Sequence, residues 1–330
     1  MSGRVLVTGG LGFIGSAFVR ALAADGEPVL NVDLDTYAGD ERRLAGVPPG
    51  LVETVRADVA SPEVENIVRG EAPSLIVHFA AESHVTRSED APEVFFHANV
   101  AGTRTVLDAA AEAGSCRVVH MSTDEVYGPC PADPFREEDK LPGEGLATSA
   151  YARSKAVADD LARSYADRVD VVVARPTNCI GPWQHPEKAV PRWSTRALRG
   201  ERLPVWGDGE QVRDWMFVAD AVSALRLLAE RGERGAVYNV GPQAEGVPNV
   251  EIARAVARAA GRDEACVYLS RYDRPQHDRR YAVATDRITA LGWRAARSLE
   301  AAVAETVDWY RANEAWWSTL VPDAEQLYAD

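Results

Sequence analysis

Strand-like and helix-like stretches alternate through the first half of the chain, and that alternation predicts an α/β protein on a doubly wound parallel sheet. Two further observations agree. A glycine-spaced turn, Gly9-Gly10-Leu11-Gly12-Phe13-Ile14-Gly15, joins the first strand-like run to the first helix-like stretch, and all eight tryptophans fall from Trp183 onward. The turn marks a Rossmann-type nucleotide fold. The tryptophans, with most of the Pro- and Gly-rich connections, mark a smaller, mixed α/β C-terminal unit. The character changes near residue 177. Residues 1–176 read as a dinucleotide-binding domain, with a return of the chain near 215–240, and residues 177–330 as a substrate domain.

The strands are expected at Val5–Thr8, Val29–Asp33, Val52–Ala57, Leu75–Phe79, Val118–Ser122 and Val169–Ala174, each a short run rich in β-branched residues. The helices are expected between them, at Ile14–Ala24, Glu63–Gly70, Gly102–Ala113 and Ser149–Asp167. The chain shows neither repeats nor low-complexity runs.

Gly9, Gly12 and Gly15 permit a tight turn and close backbone approach to a pyrophosphate resting on the helix N-terminus. Asp33 ends the next strand, 18 residues after Gly15, where an acid binds the adenosine ribose. With no arginine beside it, Asp33 favours NAD over NADP. Asp58-Val59, after the third strand, can reach the adenine, and Phe79-Ala80-Ala81-Glu82-Ser83, after the fourth, can line the cofactor. Packing alone is the bland alternative for both.

The fifth strand runs into Thr123-Asp124-Glu125. Ligands in such sheets sit at the carboxyl ends of strands, and two adjacent carboxylates there can divide acid and base work if their environments differ. A helix N-cap or turn is the bland alternative, because Thr and Asp favour both. Tyr151 and Lys155 lie four apart on one helix face. An ammonium there is expected to lower the phenol's pKa, so that it takes a proton from a hydroxyl as hydride leaves for a nicotinamide. A solvated helix face is the alternative for an isolated pair of this kind.

Composition narrows the possibilities. Hydrophobic residues make up 46% of the 330 residues, as in an ordinary globular protein. No apolar run approaches the roughly 18 residues of a membrane span. The N-terminal segment lacks a signal-peptide pattern, so a cytoplasmic location is expected. The net charge of −14 opposes a nucleic-acid partner. Four scattered cysteines read as buried free thiols, and the six histidines form no H-x-x-x-H pair, so no metal is expected.

Taken together, the chain resembles the extended short-chain dehydrogenases that act on nucleotide sugars, and more narrowly the dTDP-glucose 4,6-dehydratases. The resemblance runs through Val32-Asp33, Thr36-Tyr37-Ala38-Gly39, Ala80-Ala81-Glu82-Ser83-His84-Val85, Ser122–Gly128, Asn178 with Gly181-Pro182, Pro186-Glu187-Lys188 and Gly207-Asp208-Gly209. It continues through Val212-Arg213-Asp214-Trp215, Tyr238-Asn239-Val240-Gly241, Asp273-Arg274-Pro275 and His277-Asp278-Arg279-Arg280-Tyr281. It implies NAD as cofactor, with Phe13, Ile14, Thr36, Ser83 and Asn99 added to the cofactor set and Tyr151 and Lys155 shared with it. It also implies that Tyr151 and Lys155 oxidise C4 of the sugar, Glu125 removes the C5 proton, Asp124 protonates the departing C6 hydroxyl, and Thr123 bonds the C4 oxygen. Arg213 and Arg274 would fork onto phosphate oxygens. Ser83, His84, Asn178, Glu187, Lys188, Asn249 and His277 complete the implied substrate set, and a homodimer through Gly102–Ala113 and Ser149–Asp167 is implied too.

Three departures from the family pattern stand out: Gln276 for a usual glycine, Cys179-Ile180 after Asn178, and Leu34-Asp35 after the ribose acid. The last puts an extra negative charge near the adenosine. Other readings are a UDP-sugar 4,6-dehydratase, a 4-epimerase or decarboxylase on the same scaffold, and a non-catalytic NAD-binding regulatory protein. The adjacent acids argue against the epimerase and decarboxylase. Retention of Tyr151, Lys155 and both acids argues against the regulatory protein.

Overall fold

The computed structural model describes residues 4–114, 116–130, 132–141, 149–271 and 277–327. Seven parallel strands form one sheet: β1 (Val5–Thr8), β2 (Val29–Asp33), β3 (Val52–Arg56), β4 (Leu75–His78), β5 (Arg117–Met121), β6 (Asp170–Pro176) and β7 (Val237–Val240). Their order is β7-β6-β5-β4-β1-β2-β3. The order reverses between β1 and β4, and the crevice above that switch point is where such sheets bind ligands.

The inner strands are largely apolar on both faces, as a sheet covered on both sides requires, whereas β3 at the edge carries Glu53, Thr54 and Arg56. Alternation sorts their side chains into two cores. Val5, Val7, Val77, Val119 and Val172 pack with the helices Phe13–Ala24 and Val218–Arg231. Leu6, Leu30, Ile76, Val118 and Val171 pack on the opposite face with Pro62–Glu71 and Gly102–Ala113. Six strands and four helices stand where the sequence pattern puts them, three with both ends as expected and the others with ends shifted by at most three residues. Helix Ala150–Ser164, for example, stops three residues short of the expected Asp167.

After β6 the chain builds a third core of Ile180, Val190, Trp193, Leu203 and Val205 with the helices Ala189–Leu198, Asn249–Ala259 and Leu299–Ala312. Three strand pairs trim it. Asn178–Ile180 pairs with Trp215–Phe217, Leu203–Trp206 with Val267–Ser270, and Val212–Arg213 with Val247–Pro248. These strands are two to four residues long, too short for periodicity to mark. All four cysteines are free. Cys116 and Cys130 are buried as expected, whereas Cys179 and Cys266 are partly exposed. Among the described residues no helix is long and apolar enough to cross a membrane.

Candidate active site

The glycine turn leaves β1 and opens the helix Phe13–Ala24. Gly9 has φ +75°, and a Cβ there would stand 2.5 Å from the Ala80 nitrogen. A Cβ on Gly15 would meet the Gly9 carbonyl oxygen at 2.1 Å. These two glycines therefore serve the turn and its packing on the segment after β4. Gly12 differs. Its φ of −73° suits any residue, and the nearest atom to a Cβ is the Gly9 oxygen at 3.2 Å. Gly12 also caps the helix without a side-chain hydrogen bond, so the helix start offers uncapped N–H groups beside an opening that a methyl would narrow. That arrangement fits a pyrophosphate. Phe13 and Ile14 follow, both partly exposed.

Asp33 ends β2 beside this turn. Its carboxylate accepts from Leu11 N and Asp35 N, each at 2.8 Å, and burial raises its pKa. Each oxygen keeps a lone pair for a ribose hydroxyl. The extra charge of Asp35 is answered inside the chain: Arg56 Nη2 lies 2.8 Å from its carboxylate. Thr36 lies in the turn that follows, its carbonyl accepting from Gly39 N. Asp58 accepts from Ala60 N and lies 2.8 Å from His97 Nε2, while Val59 is buried behind it. Ala80 N donates to Thr8 Oγ1, and Ala81 and Ser83 are exposed. Asn99 is 1% exposed, and its amide is spent on the protein. It accepts from Glu82 N and donates to Glu82 O and Ser154 Oγ, which ties the segment after β4 to the helix Ala150–Ser164.

At the end of β5, Thr123 caps a short 3₁₀ turn, Asp124–Tyr127. Its hydroxyl accepts from Glu125 N at 3.3 Å and donates to Asp124 Oδ1 at 3.2 Å. Asp124 is 3% exposed and its Oδ2 is buried with no hydrogen-bond partner among the described residues. Burial, then the neighbouring Glu125 and Asp214, raise its pKa to about 8. It is a proton carrier at neutral pH, as a general acid must be. Thr123 thus does cap a turn, and that turn places Glu125 on the lining of a cleft with Asp124 buried beside it.

The tyrosine–lysine expectation needs correction. Tyr151 is buried, and burial followed by the charge of Glu125 raises its pKa instead of lowering it. The Thr123 hydroxyl is the neighbour that works in the other direction. Lys155 donates to the Met121 carbonyl at 2.6 Å, and burial lowers its own pKa to about 8. Desolvation outweighs the helix-face pairing that spacing suggests.

Glu125 lines a cleft that runs from this turn toward the C-terminal core. Ser83, His84, Asn178 and Cys179 line it on one side, with Glu187, Lys188, Arg213, Asn249 and His277 farther along. Asn178 Oδ1, Asn249 Oδ1 and Trp215 Nε1 are buried on its walls without a hydrogen-bond partner among the described residues. Such atoms mark a place built for a polar ligand. Arg213 is 5% exposed, stacks over Tyr281 at 4.2 Å and donates to Val212 O and Asp278 O. Lys188 Nζ donates to Ser83 O at 3.0 Å, bridging the two sides. Arg274 and Gln276 lie outside the described residues.

Two features of the site were not foreseen. Tyr37 donates to Glu187 Oε1 at 3.3 Å while the Arg87 guanidinium sits 3.9 Å over its ring, so the loop after Asp33 touches the cleft. The aromatic walls Trp193, Trp206 and Tyr281 were missed as well. An exposed-looking Arg in the helix Val85–Asp90 gave no signal for the first. Clustering of Trp in the second half was the available signal for the walls.

Comparison with known proteins agrees with this geometry. The model of the NAD dependent epimerase/dehydratase family matches residues 5–241. The low-salt glycan biosynthesis protein Agl12 of Haloferax volcanii is 41% identical over 314 residues, covering 94% of this chain and 99% of that protein. A dTDP-glucose 4,6-dehydratase of Streptomyces griseus is 41% identical over 333 residues, covering 98% of each. A crystal structure of a dTDP-glucose 4,6-dehydratase from Streptomyces venezuelae with NAD bound is 39% identical, spans 96% of this chain and 99% of that one, and superposes with a TM-score of 0.89. On the glycine turn, the sheet order and these similarities, the chain belongs to the NAD dependent epimerase/dehydratase family.

Proposed function

We propose that this protein is an NAD-dependent dTDP-glucose 4,6-dehydratase that forms the 4-keto-6-deoxy sugar by loss of water. The observation that carries the proposal is the buried Asp124 carboxyl, its Oδ2 without a hydrogen-bond partner among the described residues, next to Glu125 on the lining of a cleft with polar walls. Similarity to the dehydratases of both Streptomyces species supports it.

The Gly12 opening, Asp33 and the segment Ala80–Ser83 would hold NAD, which would supply hydride acceptance and return. Tyr151 takes the C4 hydroxyl proton. Burial holds the phenol protonated as the structure stands, so the hydrogen bond of the Thr123 hydroxyl, the neighbour that works in the other direction, has to favour the phenolate when substrate is in place. Oxidation of C4 acidifies the C5 proton, and Glu125 removes it. Asp124 gives its proton to the C6 oxygen, the C6–O bond breaks, and water leaves as the C5–C6 double bond forms. Glu125 then returns its proton to C5. Adjacent acid and base on neighbouring carbons are what an elimination of water needs.

In this reading residues 1–176, with the return of the chain through Val237–Val240, hold the cofactor. Residues 177–330 hold the nucleotide, with Arg213 and Arg274 on the diphosphate and Asn178, Glu187, Lys188, Asn249 and His277 around it. The protein acts as a homodimer through the helices Gly102–Ala113 and Ala150–Ser164. Exposed Val157, with exposed Val94 and Phe96 in the helix Pro92–Phe96, supports that surface. A side-by-side product assay with dTDP-glucose and UDP-glucose is the test. Release of 4-keto-6-deoxy product from dTDP-glucose is expected, and preference for UDP-glucose would reassign the substrate. No such product from either would end the reading.

A further inference from the structure

Behind the catalytic turn lies an ion pair that the mechanism does not use. Asp159 and Arg175 are both wholly buried, with Arg175 Nη2 2.6 Å from Asp159 Oδ1 and Nε 2.8 Å from Oδ2. Asp159 is on the helix Ala150–Ser164, four residues after Lys155 and eight after Tyr151, so the three share a face. Arg175 is on β6. Two hydroxyls complete the circuit. Ser122 Oγ donates to Asp159 Oδ2 at 2.6 Å, and Arg175 Nη1 donates to the Tyr127 hydroxyl at 2.6 Å. Tyr127 in turn donates to Asn239 Oδ1 on β7 at 2.8 Å. Ser122 and Tyr127 bracket Thr123, Asp124 and Glu125.

A buried ion pair is weak evidence for stability, because desolvating two charges offsets most of their attraction. Apolar residues would fill this space at least as well. What the pair does provide is direction, since the two charges bond each other twice and each also bonds one hydroxyl beside the acids, joining that turn to the helix and to β6. Catalytic groups must be held to within about half an ångström of a working geometry.

We infer that Asp159 and Arg175 are positioning residues: they fix the Ser122–Tyr127 turn, with its two acids, against the helix that carries Tyr151 and Lys155. This rests on the dehydratase reading, in which C4, C5 and C6 of one sugar must meet Tyr151, Glu125 and Asp124 together. Neither Asp159 nor Arg175 touches the cleft, and neither acts on substrate itself.

The test cuts the circuit at its hydroxyls, which leaves no lone buried charge and keeps the Tyr127 ring stacked on Phe135. Ser122→Ala, Tyr127→Phe and the double variant are compared with the full-length parent for kcat, KM, bound dinucleotide and amide hydrogen exchange. The double variant is expected to lose up to about 10²-fold in kcat, with KM and dinucleotide content unchanged and faster exchange over residues 122–128. A kcat within about threefold of the parent, or a loss confined to KM, overturns the inference. So does unchanged exchange at 122–128. Should the parent itself form no 4-keto-6-deoxy product, the dehydratase reading falls, and the exchange measurement alone decides the positioning role.

Discussion

The Thr123 hydroxyl donates to Asp124 Oδ1 at 3.2 Å, which leaves Oδ2 as a buried oxygen with no hydrogen-bond partner among the described residues. A carboxyl so placed keeps its proton, and the free oxygen is the one that can deliver it. Asp124→Asn should therefore slow product formation by roughly 10²–10⁴-fold, and Glu125→Gln likewise. Single-turnover absorbance in the NADH band checks the assignment. Both variants should still show NADH appearing, whereas Tyr151→Phe should show none. Near-normal product from the Asp124→Asn, Glu125→Gln double variant would refute the roles.

The same carboxyl makes stability depend on pH. Its pKa is about 8 in the folded protein against a reference of 3.8. Between those values the folded state binds a proton that the unfolded chain has released. Stability from this group is thus fully present below the unfolded pKa and is lost as pH rises through the folded one. Asp124→Asn removes the ionisation. Its melting temperature should exceed that of the parent at about pH 8.5, and the gap should close toward about pH 4. A gap that widens at low pH would contradict the burial of Asp124.

Gly12 separates cofactor binding from folding. Its backbone angle suits alanine, and a Cβ there meets little besides the Gly9 oxygen. Gly12→Ala should fold with a melting temperature near that of the parent, yet release far less dinucleotide on heating than the parent's expected one per chain. Retention of full dinucleotide content would place the pyrophosphate elsewhere.

Val157 is 37% exposed on a helix whose other face carries Tyr151, Lys155 and Asp159. An apolar residue left in water, in a chain that also exposes Val94 and Phe96, suits a subunit contact. Val157→Asp should shift sedimentation at micromolar protein from dimer to monomer. A parent that is monomeric at that concentration would remove the interface.

The glycine turn, Asp33, the acid pair and six of the seven sheet strands were legible in the sequence, because each is a local pattern: a fixed spacing, a short β-branched run, a terminal residue. The seventh strand was seen only as a return of the chain. Other features depend on what surrounds a group. Spacing put Lys155 beside Tyr151, but burial raised the phenol's pKa and Met121 took the ammonium's bond. The resemblance names Asn99 for the cofactor, and only the fold shows that it also ties Glu82 to Ser154. The cleft joins residues from Ser83 to His277 that no local pattern connects. Nothing in the sequence singles out Asp159 or Arg175, and only packing closes them on each other. Residue type and spacing set which chemistry was available. Desolvation and long-range contact decided which groups hold a proton and which way they face, because both depend on neighbours that only the folded chain brings near.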